Sequence, residues 1–397
     1  MEHLTDNLIS FASQVDQNTI DQAKQTAQMP FVYPHVALMP DAHFGRGSSV
    51  GTVIPTRGAV IPAAVGVDIG CGMIAVKTRF NWEPHLSSDV KFGDLSLVKL
   101  REMIEDAIPV SPGVYNQNIK RFPFTAAKHE KLLKLQEELK VDLKHSPKWM
   151  QQLGSLGGGN HFIELCLDDE DNVWLFLHSG SRGVGNKIAT HHIKVAEKYC
   201  EDVSLPSRDL AFLEQGTPEF DRYLYDLNWA QEFALLNRAE MMDRFIWVFA
   251  RWLGVEAQRV EIERINCHHN YTTPVTIEGE RVWLTRKGAI DASEGKLGVI
   301  PGSMGTKSYV VRGKGNQTSL YSAAHGAGRK FSRNQAKKLF TEEDLAKRME
   351  GIEYRHGPEF IDEIPDAYKD IDQIMEDSKD MVEVITTLRQ LLNVKGV

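Results

Sequence analysis

Long apolar runs are missing from this chain: no stretch of about 18 consecutive apolar residues occurs, and the opening Met1-Glu-His-Leu-Thr-Asp6 has no basic region leading into an apolar one. Neither a membrane span nor a secretory signal is expected, and a cytoplasmic address follows. Cysteine is scarce too. Four thiols (Cys71, Cys166, Cys200 and Cys267) scattered through 397 residues cannot make a disulfide framework, so each is expected to be free or a thiolate ligand. The Gly-x4-Gly-Lys-Ser/Thr loop that cradles ATP phosphates is absent. Fixed-period repeats and low-complexity linkers are absent as well, so nothing marks a domain boundary. With 42% hydrophobic and 25% charged residues, the proportions are globular. One α+β domain over residues 1–397, a β-sheet core surrounded by helices, is the expectation.

Positive charge is in short supply overall, since the formal net charge is −8. That argues against general nucleic-acid binding, but the charge is unevenly distributed. Residues 281–338 hold twelve Lys/Arg against two Asp/Glu, whereas residues 342–383 hold fifteen Asp/Glu against five Lys/Arg. A basic block of this kind is suited to following a phosphate backbone, with a salt dependence of roughly 0.7 per phosphate contacted on a single strand. A solvated surface face is the competing reading.

Along the chain, the first thirty residues read as one helix entering a strand at Phe31–Leu38. Val50–Ile54, Ala59–Val65 and Met73–Lys77 read as strands, and Asp94–Ile108 and Lys128–Leu143 as helices. Phe162–Leu167 and Val173–Leu177, joined by Asp168-Asp-Glu-Asp-Asn172, predict a hairpin that projects His161 and His178 from its ends. Asp221–Leu253 has apolar residues at helical spacing and stops at Gly254, giving one long helix or two shorter ones. Ser332 is placed to cap a helix through Phe340, and Tyr368–Leu392 reads as an amphipathic C-terminal helix.

Metal ligands are dispersed through several glycine-flanked segments. Asp68 and Cys71 lie in Val65-Gly-Val-Asp-Ile-Gly-Cys-Gly-Met73, His161 ends Gly157-Gly-Gly-Asn-His161, His178 opens His178-Ser-Gly-Ser-Arg182, and His269 lies in Asn266-Cys-His-His-Asn270. Taken singly, Asp68 and Cys71 are better explained by packing, as a buried aspartate near a turn and a packed cysteine. Together, such polar groups would not be tolerated in a core without partners. Two divalent ions about 4 Å apart, as two-metal phosphoryl-transfer sites require, repel by on the order of 17 kcal/mol at an effective dielectric of about 20. A bridging anion is therefore needed, and the Cys71 thiolate suits that role. Imidazole and thiolate donors suit manganese, zinc, cobalt or nickel, so spacing does not name the metal.

His325-Gly-Ala-Gly-Arg329 adds a reactive imidazole beside glycines that admit a bulky phosphorylated group. Neutral imidazole attacks phosphorus without a strong base. Pro301-Gly-Ser-Met-Gly305, Arg329 and Arg333 surround it in sequence. A histidine nucleophile together with divalent metals points to nucleotidyl transfer.

The motifs Met39-Pro-Asp-Ala-His43, Ile61–Gly72, Gly159-Asn-His-Phe-Ile-Glu164, His178–Gly183, Asn266–Asn270, Pro301–Gly305, His325–Arg329 and Val394-Lys-Gly396 resemble those of the RtcB-type RNA ligases over essentially the whole length. The stretch Pro109–Phe124 matches least. The resemblance implies an RtcB-like fold and a GTP- and manganese-dependent ligase. Such an enzyme joins RNA 2′,3′-cyclic phosphate or 3′-phosphate ends to 5′-hydroxyl ends in RNA repair or tRNA splicing. It further implies two Mn2+ on Asp68, Cys71, His161, His178 and His269, with Cys71 bridging, and guanylylation of His325. Asn160, Glu164, Asn270, Ser303, Ser308, Gly326, Ala327, Gly328 and Lys395 would line the guanylate pocket, and Arg182, Arg329 and Arg333 would meet RNA phosphates. A monomer is expected. The alternative is a metal-dependent RNA-end phosphoesterase in which His325 is only a general acid.

Overall fold

In the computed structural model, which describes residues 1–82 and 96–396, the apolar strands gather into two facing sheets. One, six-stranded among the described residues, runs from an N-terminal hairpin through Val36–His43 and Val50–Thr56 to Glu280–Lys287 and Asn270–Ile277. The other is ordered Glu261–His268, Gly72–Asn81, Asn172–Ser179, Phe162–Leu167, Val382–Val394, Ser308–Gly313 and Leu297–Ile300, with Glu353–Tyr354 pairing alongside Val382–Val394. It is covered on both faces. Met73 and Ala75 enter the core shared with the first sheet, while Ile74 and Val76 face helices on the far side, which explains why its strands read as unbroken apolar runs.

The same alternation positions the polar side chains. Ile163 and Leu165 join the helix-side core and Phe162 and Cys166 the core between sheets, so Glu164 points between the sheets. By the same register His178 shares the face of Phe176, and Asn393 and Lys395 oppose Leu392 and Val394.

The helix-side layer centres on Pro218–Leu253, a single 36-residue helix. Thr217 caps it by accepting from the Phe220 amide, proline occupies its first turn, and Gly254 ends it in the left-handed region at φ +70. Phe233, Phe245 and Phe249 are wholly buried on it, each contributing roughly 1.5–3 kcal/mol. No described helix is long and apolar enough to cross a membrane.

Several local expectations are corrected. The first thirty residues do not form one helix: Glu2–Thr5 and Leu8–Ser10 pair as a hairpin before the helix Gln17–Ala27. The following strand is Val36–His43, displaced from Phe31–Leu38 by the turn around Pro34. Within Ala59–Val65 only Ala59–Val60 is strand, because Pro62 opens a helical turn over Pro62–Val65. The expected helix from Asp94 runs Leu97–Ala107 with Ser96 as its cap, and positions 94 and 95 lie outside the described residues. The C-terminal segment is a short helix, Ile371–Asp377, followed by the 13-residue strand Val382–Val394.

Candidate active site

Four segments bring the candidate metal ligands together. Asp68 and Cys71 lie in the turn before Gly72–Asn81. His161 precedes Phe162–Leu167, and His178, near the end of the neighbouring strand, pairs with Phe162. His269 sits where the chain passes from Glu261–His268 in one sheet to Asn270–Ile277 in the other. Gly72 makes this junction possible, since a Cβ there would fall 2.0 Å from the Cys267 carbonyl oxygen. The His269 amide accordingly donates to the Cys71 carbonyl at 2.7 Å.

Ligand atoms of Asp68, Cys71 and His161, and of Cys71, His178 and His269, lie within 4.8 Å of one another in two sets that share the thiol. Cys71 Sγ is 3.4 Å from His161 Nε2 and 3.2 Å from His178 Nε2, and Asp68 Oδ2 is 3.1 Å from His161 Nε2. All three imidazoles have Nδ1 against an oxygen: the Leu156 carbonyl, the Asn160 carbonyl and Asn270 Oδ1 respectively. Asn270 Oδ1 also accepts from the Gly288 amide, so it acts as an acceptor. With Nδ1 of His178 and of His269 carrying the proton, their Nε2 atoms are bare lone pairs. Yet Nε2 of His178 and Nε2 of His269 stand only 2.8 Å apart. Two lone pairs at that distance repel unless a cation lies between them, so the donor set fits a metal ion.

Burial pushes His178 and His269 well below the usual imidazole range, so neither ring takes up a second proton to relieve the contact. Burial, then the neighbouring Asp68 charge, pushes the Cys71 thiol well above its ordinary range. Burial opposes ionisation of Asp68, but the His161 contact, Arg182 and the Ser181 amide hold it far below the usual carboxylate range.

Two adjacent residues of the long helix grip the ligand-bearing loops. Asn237 accepts from the Gly154 amide at 2.7 Å and donates to the Ser155 and Gly180 carbonyls. Arg238, wholly buried, donates to the Gly70 and Ser179 carbonyls and to Asn266 Oδ1, with His268 Nδ1 at 3.1 Å.

His325 follows the short strand Ser322–Ala324, its ring centroid 4.5 Å from that of His269. Its Nδ1 lies 2.6 Å from Oδ2 of the fully buried Asp41, a close contact but not an aligned hydrogen bond, and its amide donates to the same oxygen at 3.2 Å. Gly328 has φ +72, and a Cβ there would lie 2.3 Å from the Asp41 carbonyl oxygen. The glycine lets the two segments approach closely enough for this contact.

A cavity opens from His178, His269 and His325 past Gly326, Ala327 and Gly328 to Glu164 and Lys395. Burial raises the Glu164 carboxyl to about 8 against the pull of Lys395 and the Asn393 hydrogen bond at 2.8 Å. At the same end Glu363 is buried among cations. Lys395 Nζ is 3.0 Å away, Arg333 2.5 Å and Arg329 3.3 Å, and they hold its carboxyl below the ordinary value although burial opposes this.

The family model described as "tRNA-splicing ligase RtcB" matches residues 22–396. The chain belongs to the RtcB family. It is 45% identical to the RNA-splicing ligase RtcB of Escherichia coli K12, over 96% of this chain and 95% of that protein. It is 28% identical to the tRNA-splicing ligase RtcB of Nanoarchaeum equitans (96% and 92% covered) and 28% identical to the RNA-splicing ligase RtcB of Mycobacterium tuberculosis (90% and 95%).

Within this RtcB-family fold, the five expected ligands converge. Asn160, Glu164, Asn270, Ser303, Gly326, Ala327, Gly328 and Lys395 line the cavity beside His325. Ser308 does not line it; its hydroxyl accepts from the Gly302 amide at 3.3 Å and supports the loop from behind. Arg182 sits on the far side of the candidate metal ligands, 3.2 Å from His161 Nδ1. Arg329 is spent on the Asp362 carbonyl, Tyr368 and Glu363, and Arg333 on Asp362 and Glu363.

The expected basic face around His325 is reduced but not removed, since among the described residues Arg281, Lys314, Lys330 and Lys338 meet no carboxylate. The acidic segment folds onto the basic one: Lys307 pairs with Asp372, Arg312 with Glu383 and Lys337 with Asp362, while Arg286 and Lys296 meet Asp291. Asp41, Phe162, Glu363, Tyr368 and Asn393 do not stand out as site residues in the sequence. Asp41 carries a signal, as an acid between apolar neighbours in Met39-Pro-Asp-Ala-His43.

Proposed function

We propose that this chain is an RNA ligase that uses GTP and two manganese ions to join RNA 3′-phosphate ends, or 2′,3′-cyclic phosphate ends once opened, to 5′-hydroxyl ends. One observation carries the reading: bare imidazole nitrogens gathered around a shared thiol open onto the cavity that also holds His325 and Glu164. Asp68, Cys71 and His161 would hold one ion, and Cys71, His178 and His269 the other. When bound, the ions would polarise phosphoryl oxygens and neutralise developing charge.

The Asp41 carboxylate facing Nδ1 keeps the His325 proton on that atom and leaves the Nε2 lone pair for phosphorus. Nε2 bonds to the innermost phosphorus of GTP and pyrophosphate leaves. The guanylate then passes to the RNA 3′-phosphate, freeing His325. The 5′-hydroxyl of the second strand attacks that RNA phosphorus, the new phosphodiester forms and GMP departs. Asn160, Asn270, Ser303 and residues 326–328 would hold the nucleotide, with Glu164 or Lys395 reading guanine and Ser308 acting through the loop. Arg182 and Arg333 would meet RNA phosphates, and Arg329 would position Glu363. All these groups come from one chain, so a single copy can carry the whole site, and action as a monomer is proposed.

Incubation with α-labelled GTP and Mn2+, followed by intact mass, tests the reading. An added guanylate on the native chain and none on His325→Ala is expected. Labelling of the variant would refute it, and opening of cyclic ends without any nucleotide dependence would favour a phosphoesterase instead.

A further inference from the structure

Several cations near His325 are paired with acids, and a second group of unpaired cations lies on another face. The helix Arg182–Tyr199 begins beside the metal ligands and leads away from them. Asn186, Lys187, Thr190, His191, Lys194 and Lys198 are exposed along it at spacings that place them on one side. Its buried side, Val184, Ile188, Ala189, His192 and Ala196, anchors it to the fold. From Arg182 to Lys194 the helix advances roughly 18 Å.

Two clefts meet on this helix. One, about 480 Å³, reaches from Asp68, Asn270 and Lys287 to Thr190 and Lys194, with Arg46 exposed at its rim. The other, about 590 Å³, continues from Thr190 and Lys194 to Lys187, Lys140 and Arg222. Asn270 and Lys287 also line the cavity holding His325, so they form the wall between it and the first cleft. Three spaces are thus strung in series, with the candidate metal centre at the first junction.

Charge in the outer cleft is positive on balance, with Lys140, Lys187, Lys194 and Arg222 against Asp142 and Asp226. Lys187 donates only to the His145 carbonyl, at 2.6 Å, and among the described residues no carboxylate pairs with Lys140, Lys187 or Lys194. Two acids also line this cleft: Asp226 is paired with Arg222 and His192, while Asp142 accepts from the Lys144 amide and keeps its charge, which leaves the lysines in excess. In the inner cleft Glu197 pairs with Arg208, and Asp209 accepts from the Gly47 amide.

We infer that this helix face and its two clefts bind the RNA strand that carries the 5′-hydroxyl, a reading that rests on the ligase function above. Displacement at phosphorus places the attacking and leaving oxygens roughly in line. The leaving GMP occupies the cavity on the Glu164 and Lys395 side, so the attacking hydroxyl enters from the opposite side, past Asp68, where the inner cleft opens. Its following phosphates then run over Lys194, Lys187 and Lys140, whose ammonium groups attract them without reading sequence.

The doubly charge-reversed variant K187E/K194E tests this with a labelled 5′-hydroxyl oligonucleotide and a separate 3′-phosphate strand. The KM for the oligonucleotide in sealing should rise at least about tenfold, and the slope of log affinity against log salt should fall by about 1.4, two contacts at about 0.7 each. A 5′-hydroxyl dinucleotide, whose single phosphate can meet at most one of the two lysines, should show a smaller rise in KM than the longer strand. Guanylylation of the protein and of the 3′-phosphate strand should be unchanged, which also establishes that the variant folds. An unchanged KM and salt slope would overturn the inference. So would selective loss of 3′-end activation, which would assign the groove to the other strand. Failure of the native chain to take up guanylate would defeat the ligase reading instead, while anisotropy of the oligonucleotide alone would still report on the groove.

Discussion

Replacing Asp41 by asparagine removes one charge from beneath His325 and little else in volume. When Nε2 bonds to phosphorus the imidazole becomes cationic, and the buried carboxylate, 2.6 Å from Nδ1, stabilises that charge. Between charge centres about 4 Å apart at an effective dielectric of about 20, the interaction is about 4 kcal/mol. At about 1.4 kcal/mol per decade, that corresponds to a loss of about a thousandfold in the rate of guanylylation. Asparagine adds a second penalty: its amide can donate to Nδ1 and stabilise the tautomer with the proton on Nε2, where no lone pair remains for attack. Single-turnover transfer from α-labelled GTP at saturating Mn2+ measures this directly, with thermal unfolding as the control for folding. A variant rate within about threefold of the native chain, less than 1 kcal/mol by the same conversion, would refute the assignment of Asp41 as the group that positions and charges His325.

Glu164 sets a pH dependence. Its carboxyl is raised to about 8 by burial, and a carboxylate accepting from guanine's N–H groups must be ionised. GTP binding should therefore tighten as pH rises from 7 to 8.5, with proton release on binding below pH 8, and Glu164→Gln should flatten the profile; a native profile already flat would count against base recognition by this residue. In the free chain, the raised pKa gives a stability contribution that is full below the ordinary value of 4.5 and lost as pH rises through about 8, so Glu164→Gln should protect against alkaline unfolding. Mn2+ at about a hundred times its dissociation constant should stabilise the native chain by about 2.7 kcal/mol, and much less in Cys71→Ala, which loses a donor from both sets. Equal thermal shifts in the two proteins would contradict the shared thiol.

Much of the site was legible because its residues lie in short glycine-bounded motifs whose local chemistry survives out of context. The hairpin with His161 and His178 at its ends is one case. Pairings across the chain were less legible. Asp41 and His325 are 284 positions apart, and no pattern in either segment signals the other. The charge blocks misled for the same reason, since a local excess of lysine and arginine says nothing about which carboxylates fold over it. Val382–Val394 carries apolar residues at intervals that also suit a helix, yet it is rich in β-branched residues and finds partners on both flanks, Ser308–Gly313 and Phe162–Leu167. Tertiary pairing decides such cases over periodicity.

Asn237 and Arg238, side by side on one long rod, tether the neighbourhoods of Asp68, His161, His178 and His269 at once. Loops fastened to a common post cannot wander separately, so the spacing between donors is inherited from helix geometry and not negotiated loop by loop. Any displacement of that post would carry the whole constellation with it, which makes these two positions, remote from the reacting phosphorus, the place where the centre's dimensions are set.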